Sequence, residues 1–194
     1  MIEMKKITVF CSSSHQLAQF YYDDALLIGR WIGCHSCTLV YGGSARGTME
    51  IVAEAVKSHG GKVHGIIPER FANKNMASQH VDCLTVTADL HERKRLLLAE
   101  SDAVVVLPGG AGTIDEFFDA YVSRKLGYIN APIIVCNTNG YFNPLLAQLE
   151  RCYAEQFASP LEVGMYQVAD DAAHCCRILS RLFPTLKDNS REKE

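Results

Sequence analysis

Short apolar runs alternate along this chain with longer stretches in which apolar residues recur every three or four positions. The run at 7–13 is rich in β-branched residues and is bounded by polar ones, which is typical of a buried strand. Residues 17–33 carry apolar side chains mostly three and four positions apart, which predicts an amphipathic helix. The run at 37–43 ends in two glycines and predicts the next strand.

The same alternation continues to residue 182 and predicts the remaining elements. Further strands are predicted at 62–68, 81–87, 102–108, 131–136 and 165–169. Further helices are predicted at 48–60, 88–101, 114–126, 141–157 and 170–182. Residues 69–80 show no clean period, so we predict a loop there, and we expect the charged tail at about 186–194 to be frayed.

Most of the predicted strands are continuous apolar runs, which is typical of parallel strands covered on both faces. Combined with the strand–helix alternation, this predicts an α/β fold: a doubly wound, mostly parallel, Rossmann-like sheet with helices on both faces. The 194 residues contain no internal repeat and no linker-like segment, so we predict a single domain over 1–194.

Composition excludes several classes of protein. The net charge of −3 argues against a general nucleic-acid binder. No apolar run reaches the roughly 18 residues of a membrane span, and the N-terminus enters a strand rather than a signal-peptide core, so we predict a cytoplasmic protein. Cys34 and Cys37 form a CxxC without a second ligand pair for zinc or a helix N-terminus for redox chemistry, which favours structural thiols.

Three predicted strand ends carry residues suited to binding a small anion. In open α/β sheets, ligands bind outside the carboxyl ends of the strands. Those ends are followed here by three serines at 12–14, by YGGSARGTME at 41–50 and by PGGAGTIDE at 108–116. Glycines let backbone N–H groups approach a phosphate, although they also serve simple turns. The candidate substrate-binding residues are Ser13, Gly42, Gly43, Gly109, Gly110, Ala111, Gly112 and Thr113.

Glu116, in the third of these segments, has two interpretations. Thr113 and Glu116 fit the T-x-x-E capping box, in which each side chain satisfies the other residue's backbone N–H. Alternatively, Glu116 is a catalytic carboxylate beside a bound phosphate. Upstream, LHERKRLL at 90–97 places Arg93 and Lys94 near the start of a helix, where cations are unfavourable with the helix dipole. Two interpretations are open: these cations form a solvated basic face, or they interact with a negative group such as a phosphate or Glu116.

The two segments together resemble the signatures of the Lonely Guy (LOG) family, formerly labelled "lysine decarboxylase-like". The signature PGGxGTxxE is complete at 108–116, and M-H-x-R-K reads LHERK at 90–94, with leucine for methionine. The resemblance extends to FCSSS at 10–14, YGGSARGTM at 41–49 and NGYFNPLL at 139–146.

The resemblance implies a dimeric hydrolase that cleaves the N-glycosidic bond of a nucleoside 5′-monophosphate, AMP or a cytokinin-type N6-modified AMP. The products are a free base and ribose 5-phosphate. It implies catalytic roles for Glu116 and Arg93, and nucleotide contacts for Lys94 and residues 110–113. The chemistry agrees, because a nearby carboxylate stabilises an oxocarbenium-like state at the ribosyl carbon. We expect no metal and no cofactor, since no ligand cluster is apparent.

Three departures from the family pattern leave the base preference open. YGGGS reads YGGSA, which places Ser44 at a usual glycine; Glu50 replaces another glycine; and Asn75 stands, by spacing, where the family often brings a glutamate to the ligand. Two other functions are considered. One is a non-catalytic carrier of a nucleotide or phosphorylated cofactor on the same fold. The other is lysine decarboxylation with pyridoxal phosphate, for which Lys94 is the only lysine near the site.

Overall fold

The computed structural model describes residues 4–74, 76–99, 101–159 and 162–189, so Asn75 and the last part of the predicted tail, 190–194, lie outside the described residues. The strands are β1 (Lys6–Phe10), β2 (Thr38–Tyr41), β3 (Lys62–Pro68), β4 (Cys83–Thr87), β5 (Ala103–Val106), β6 (Ile133–Cys136) and β7 (Tyr166–Ala169). The helices are α1 (Gln19–Cys34), α2 (Gly47–Ser58), α3 (Glu69–Ala72), α4 (Leu90–Ala99), α5 (Ala111–Lys125), α6 (Asn143–Ala154) and α7 (Ala172–Leu182).

These seven strands form one sheet in the order β4-β3-β2-β1-β5-β6-β7, and every neighbouring pair is parallel. The predicted doubly wound α/β fold is confirmed. The strand order reverses direction at β1, whose neighbours are β2 and β5. A crevice therefore opens at the carboxyl ends of these three strands, where such folds bind ligands. The serines and both glycine-rich segments follow these three strands.

Helices cover both faces of the sheet, which explains the continuous apolar runs. In β1, Ile7 and Val9 pack into one cluster with buried residues of α1, α2 and α7. Phe10 belongs to the opposite cluster, with buried residues of α4, α5 and α6. Each central strand therefore buries side chains on both faces, and this burial is the main favourable contribution to the stability of the sheet.

Several predicted bounds differ from the structure by two or three residues, and two of the differing segments have a clear physical reason. Helix α5 begins at Ala111, three residues before the predicted start, because the glycine-rich turn itself adopts helical geometry with Gly110 at the N-cap. The predicted loop at 69–80 contains the short helix α3 and an antiparallel bridge between Ser44 and Ala77. That bridge depends on a residue far away in sequence, so a periodicity within 69–80 could not reveal it.

None of the helices among the described residues combines the length and the apolar character needed to cross a lipid bilayer. All eight cysteines are free thiols. Cys34 and Cys37 are both buried, and burial raises the pKa of Cys37 to about 12, which keeps its thiol protonated. This environment is that of packing residues and supports the structural interpretation of the CxxC.

Candidate active site

A cavity of about 380 Å³ occupies the crevice at the carboxyl ends of β1, β2 and β5, and we call it the main cavity. It brings together side chains and backbone from all three predicted strand ends. Among the described residues, its lining consists of Val9, Cys11, Ser12, Ser13, Ser14, Gly42, Met49, Arg93, Gly110, Ala111, Gly112, Thr113 and Glu116. Most of the site residues predicted from the sequence therefore lie around one space.

The N-terminus of α5 forms one wall of the main cavity. A helix leaves its first N–H groups without intrahelical acceptors, and here those groups belong to residues 111–113. A Cβ built on Gly110 or Gly112 would meet no heavy atom within 4 Å, so both glycines border open space. Free amides at the positive end of a fifteen-residue helix are suited to an anion such as a phosphate, so phosphate binding here stays a prediction.

The capping-box interpretation of Thr113 and Glu116 is wrong. Gly110, not Thr113, is the N-cap, and no side chain caps the helix. The buried Thr113 hydroxyl instead donates a hydrogen bond to the Cys11 carbonyl at 3.0 Å, which ties α5 to the end of β1. The Glu116 side chain therefore does not cap the N-terminus of its own helix.

Glu116 and Arg93 contact each other at the wall of the main cavity. The Arg93 Nη2 atom donates to the Glu116 Oε1 atom at 2.6 Å, and the two side chains are only 17% and 10% exposed. Gly42 makes room for this pair, because a Cβ at that position would lie 2.6 Å from the same Nη2 atom. A carboxylate and a guanidinium are thus fixed beside the anion-binding end of α5.

The start of α4 fixes Arg93 through two acidic side chains. The Glu92 N–H donates to the Asp89 Oδ1 atom at 2.8 Å, and the Ala88 N–H donates to the Glu92 Oε2 atom at 2.9 Å. This arrangement is close to a capping box, and it follows from the D-x-x-E spacing at 89–92. The capping pattern was considered only at α5, but it is at α4 that the structure forms it. The capped first turn holds the backbone of Arg93 in place.

A second, smaller cavity of about 240 Å³ adjoins the main cavity, and we call it the side lobe. It shares Ser13, Gly42, Met49 and Arg93 with the main cavity. Its remaining lining is Ser44, Arg46, Ile67, Pro68, Phe71 and Met76. Apart from Ser44, which the sequence marks as a departure from the family pattern, these residues were not predicted as site residues, although Arg46 and Phe71 closely follow β2 and β3 and the position of strand ends was a usable signal.

The chain matches a family of known proteins over most of its length. The profile of a family described as "Possible lysine decarboxylase" matches residues 49–179. The chain is 35% identical to the Arabidopsis thaliana cytokinin riboside 5′-monophosphate phosphoribohydrolase LOG3 over 94% of its own length and 85% of the relative. It is 39% identical to the enzyme of that name from Rhodococcoides fascians, over 80% of this chain and 79% of the relative.

The chain belongs to the Lonely Guy (LOG) family. It is also 34% identical to the Oryza sativa subsp. japonica relative LOGL2, but the match covers only 64% of that protein, so the chain spans less than two thirds of it. Among solved structures, the molybdenum cofactor carrier protein of Chlamydomonas reinhardtii superposes with a TM-score of 0.71 at 23% identity, covering 94% of this chain and 100% of that one. At that identity the likeness shows a shared fold.

The two cations of the LOG signature have separate environments. Arg93 lines the main cavity, whereas Lys94 contacts Asp115 at 3.1 Å and Asp119 at 3.9 Å on the α4–α5 side. Lys94 is therefore not among the described residues that line the main cavity, and its contact with a nucleotide stays a prediction. No lysine lines either the main cavity or the side lobe within the described ranges, which argues against Schiff-base chemistry there.

Gly43 and Gly109 shape the LOG site without lining it. Gly43 has a φ of +69°, a conformation that favours glycine, so it serves the turn after β2. A Cβ on Gly109 would lie 2.2 Å from the Thr113 Oγ1 atom, and the Gly109 carbonyl accepts a hydrogen bond from the Tyr141 hydroxyl at 2.6 Å. Across the described residues, no group of three or more His, Cys, Asp or Glu side chains is placed to hold a metal ion.

Burial changes the ionisation of Glu116. Loss of solvent raises the pKa of this carboxyl to about 7, against the opposing effect of the Arg93 guanidinium. A carboxyl that ionises near neutral pH inside a cavity is a frequent feature of catalytic sites. The folded protein disfavours the charged form of Glu116. The contribution of Glu116 to the unfolding free energy is therefore fully present below its ordinary pKa of 4.5, and it is lost as the pH rises through about 7.

Glu116→Gln is therefore expected to become progressively more stable than the wild type as the pH rises from about 4.5 to 8. The difference in unfolding free energy should grow by roughly 3 kcal/mol, at about 1.4 kcal/mol per unit of pKa difference. Urea denaturation at the two ends of this range measures it. Glu162→Gln is the matched control: the Lys125 hydrogen bond lowers the pKa of the buried Glu162, so its stabilising contribution is already present above the ordinary pKa of 4.5 and the difference should stay nearly constant over this range. A flat difference for Glu116→Gln would contradict the assigned environment.

The glycines of the α5 turn give a second prediction. Gly112→Ala places a methyl group in open space at the cavity wall, so folding should be unaffected or slightly stabilised while phosphate binding weakens. We expect KM for a nucleotide to rise about tenfold, with melting temperature and kcat measured alongside. Gly109→Ala, whose Cβ would overlap the Thr113 side chain, should instead lower the melting temperature. If KM were unchanged in Gly112→Ala, the amides of the α5 turn would not bind the phosphate.

Proposed function

We propose that this chain hydrolyses the N-glycosidic bond of a nucleoside 5′-monophosphate, AMP or a cytokinin-type N6-modified AMP, to a free base and ribose 5-phosphate. The observation that carries the proposal is the Arg93–Glu116 pair, held at 2.6 Å beside the free amides of α5. The relatives from Arabidopsis thaliana and Rhodococcoides fascians, both named cytokinin riboside 5′-monophosphate phosphoribohydrolases, support the same activity.

In this proposal the 5′-phosphate binds at the N-terminus of α5. The amides of residues 111–113 and the positive end of the helix dipole neutralise part of its charge. The Ser13 side chain, exposed at the end of β1 and lining the main cavity, supplies a further donor. A phosphate fixed there places the ribose over Glu116, one helical turn further along α5.

The chemical step breaks the bond between the ribosyl C1′ carbon and the base nitrogen. Positive charge develops at C1′, and the ionised Glu116 carboxylate stabilises it inside a site with little solvent. The oxygen of a water molecule bonds to C1′ and loses a proton, while the departing base gains one. Arg93 orients Glu116 and keeps part of its population ionised near neutral pH, since the guanidinium lowers the pKa that burial raises.

A carrier function on the same fold is the second candidate. The molybdenum cofactor binding protein of Rippkaea orientalis superposes with a TM-score of 0.70, but at 21% identity, over 94% of this chain and 99% of that one. The phosphoribohydrolase relatives are more similar in sequence, at 35% and 39%. A buried carboxylate with a raised pKa is also costly for simple binding of an anion, which favours hydrolysis.

Chromatography of the products from AMP and from an N6-modified AMP tests the proposal directly. Hydrolysis releases free base and ribose 5-phosphate in equal amounts, at a rate that follows enzyme concentration. Nucleotide binding without base release would favour the carrier instead. A diamine product from lysine in the presence of pyridoxal phosphate would support the decarboxylase alternative.

We further propose that the active form is a cytoplasmic homodimer. The edge strand β4 supports an interface, because Leu84 and Val86 are 38% and 50% exposed and Leu90 at the start of α4 is 50% exposed. An exposed apolar edge strand favours association. Sedimentation equilibrium of the whole chain and of Val86→Lys tests this: a monomeric wild type would contradict it.

A further inference from the structure

Besides the buried Nε atom of Arg93, which also lines the main cavity, the side lobe contains two hydrogen-bond donors that no described residue uses. Ser44 is 8% exposed, and its Oγ atom is buried without a hydrogen-bond partner. Arg46 is an exposed residue whose side chain lines the side lobe, and its guanidinium makes no hydrogen bond or ion pair with any residue in the described part of the chain. Buried polar groups nearly always have partners, so the Ser44 hydroxyl points to a group that is supplied from outside, and Arg46 stands beside it as a charged donor open to the same space.

Neither donor is needed to form the turn that carries it. The turn after β2 is held by backbone contacts: Gly43 takes a positive φ, the Ala45 N–H donates to the Met76 carbonyl at 2.8 Å, and the Ser78 N–H donates to the Gly43 carbonyl at 2.9 Å. Arg46 precedes α2 in an extended conformation, and its side chain does not cap the helix. The turn therefore presents both side chains to the side lobe from a fixed backbone.

The position of the side lobe identifies the part of a nucleotide that would reach it. This step rests on the proposed function. A phosphate at α5 and a ribose at Glu116 fill the main cavity, and the two cavities join at Gly42, Met49 and Arg93. The base must then enter the side lobe. Its apolar walls, formed by Ile67, Pro68, Phe71 and Met76, suit the faces of a flat ring.

We infer that Ser44 and Arg46 recognise hydrogen-bond acceptors on the base, and that the substrate range of this site includes 6-oxopurine nucleotides. A guanidinium only donates hydrogen bonds, and its two-pronged geometry matches the O6 and N7 acceptors of guanine and hypoxanthine. Adenine offers N7 but presents an amino donor at position 6, which cannot accept from Arg46. The Ser44 hydroxyl can donate to the same carbonyl oxygen.

IMP and AMP give a matched test, because their bases differ only in the group at position 6 and in the proton on the neighbouring N1, while N7 is common to both. Arg46→Ala is expected to lower kcat/KM for IMP about tenfold and for AMP by a smaller factor, because one bidentate contact discriminates by about 1–3 kcal/mol and 1.4 kcal/mol is a factor of ten. Ser44→Ala should shift the ratio of the two values in the same direction. Arg30→Ala removes an exposed arginine of α1, outside the main cavity and the side lobe, and should leave both values unchanged.

If Arg46→Ala lowered kcat/KM equally for IMP and AMP, the inference would be overturned, and Arg46 would instead attract the phosphate of either nucleotide. A wild type that hydrolyses AMP but not IMP would also overturn it. If no nucleotide is hydrolysed, the proposed function fails, and calorimetric binding of IMP and AMP then tests the side lobe separately. Preferential loss of IMP binding in Arg46→Ala supports recognition of the base, and equal binding in both proteins contradicts it.

Discussion

Glu116→Gln is expected to lower kcat for base release by about 100-fold or more while the protein still folds. Glutamine keeps the shape of the side chain and can still accept a hydrogen bond from Arg93, but it cannot carry the negative charge that stabilises the ribosyl cation. Because the charge acts mainly in the transition state, KM should change little. Single-turnover measurement of base release, with circular dichroism as the folding check, gives this result.

The pH profile provides the control for that variant. Wild-type activity should rise as the pH passes through about 7, where Glu116 ionises, and the residual activity of Glu116→Gln should lack this step. Glu162→Gln makes the same chemical change at another buried glutamate, outside the main cavity, and should keep the step. Glu116→Gln with most of its activity retained would show that the carboxylate is structural.

The fold was predictable because burial on both sheet faces affects the local sequence directly. The strand at 62–68 is observed with those bounds, and the alternation of strands and helices is confirmed throughout the described residues. The errors occur where non-local contacts decide. The T-x-x-E spacing at Thr113 offers a helix cap as one interpretation, but its hydroxyl donates instead to the Cys11 carbonyl, more than a hundred residues earlier in the chain. No local spacing contains that information.

The candidate site was predictable only where two motifs could be combined. The charges of Arg93 and Glu116 suggested a pair, and the structure brings them together across a separation of 23 residues. Lys94 is adjacent to Arg93, yet it points to Asp115 instead of the main cavity. Sequence proximity therefore indicated the right helix but not which face of it binds. The side lobe could not be predicted from the sequence, because its residues come together only when the strand ends and the loop at 69–80 are arranged in space.

The arrangement also shows how stability and function compete in this site. A buried carboxylate with a raised pKa is unfavourable in the folded protein above neutral pH, and the Arg93 ion pair compensates only part of that cost. The anion-binding amides of α5 are likewise left without a side-chain cap, which a serine or aspartate at position 110 would supply. Both features weaken the folded state, and in the proposed reaction they become favourable only when a phosphate is bound and positive charge develops at C1′.

Arg93→Ala is accordingly expected to impair both folding and catalysis. Removing the guanidinium leaves the Glu116 charge buried without a partner, which should destabilise the protein at pH 8 by about 3–5 kcal/mol. The pKa of Glu116 should rise further above about 7, since the Arg93 charge lowers it in the wild type. The pH at which base release increases should therefore move upward, and kcat at pH 7 should fall by about 100-fold.

Two further variants separate the loss of the pair from general damage. Arg95→Ala removes an exposed arginine of the same helix and should alter neither stability nor the pH profile. The double variant Arg93→Ala with Glu116→Gln should recover much of the stability lost by Arg93→Ala, because no charge then remains buried, yet it should stay inactive. Arg93→Lys keeps a positive charge but lacks the planar guanidinium with its paired N–H donors. We therefore expect this variant to keep more of the wild-type stability than of the wild-type activity. An unshifted pH profile in Arg93→Ala would show that Arg93 does not control the ionisation of Glu116.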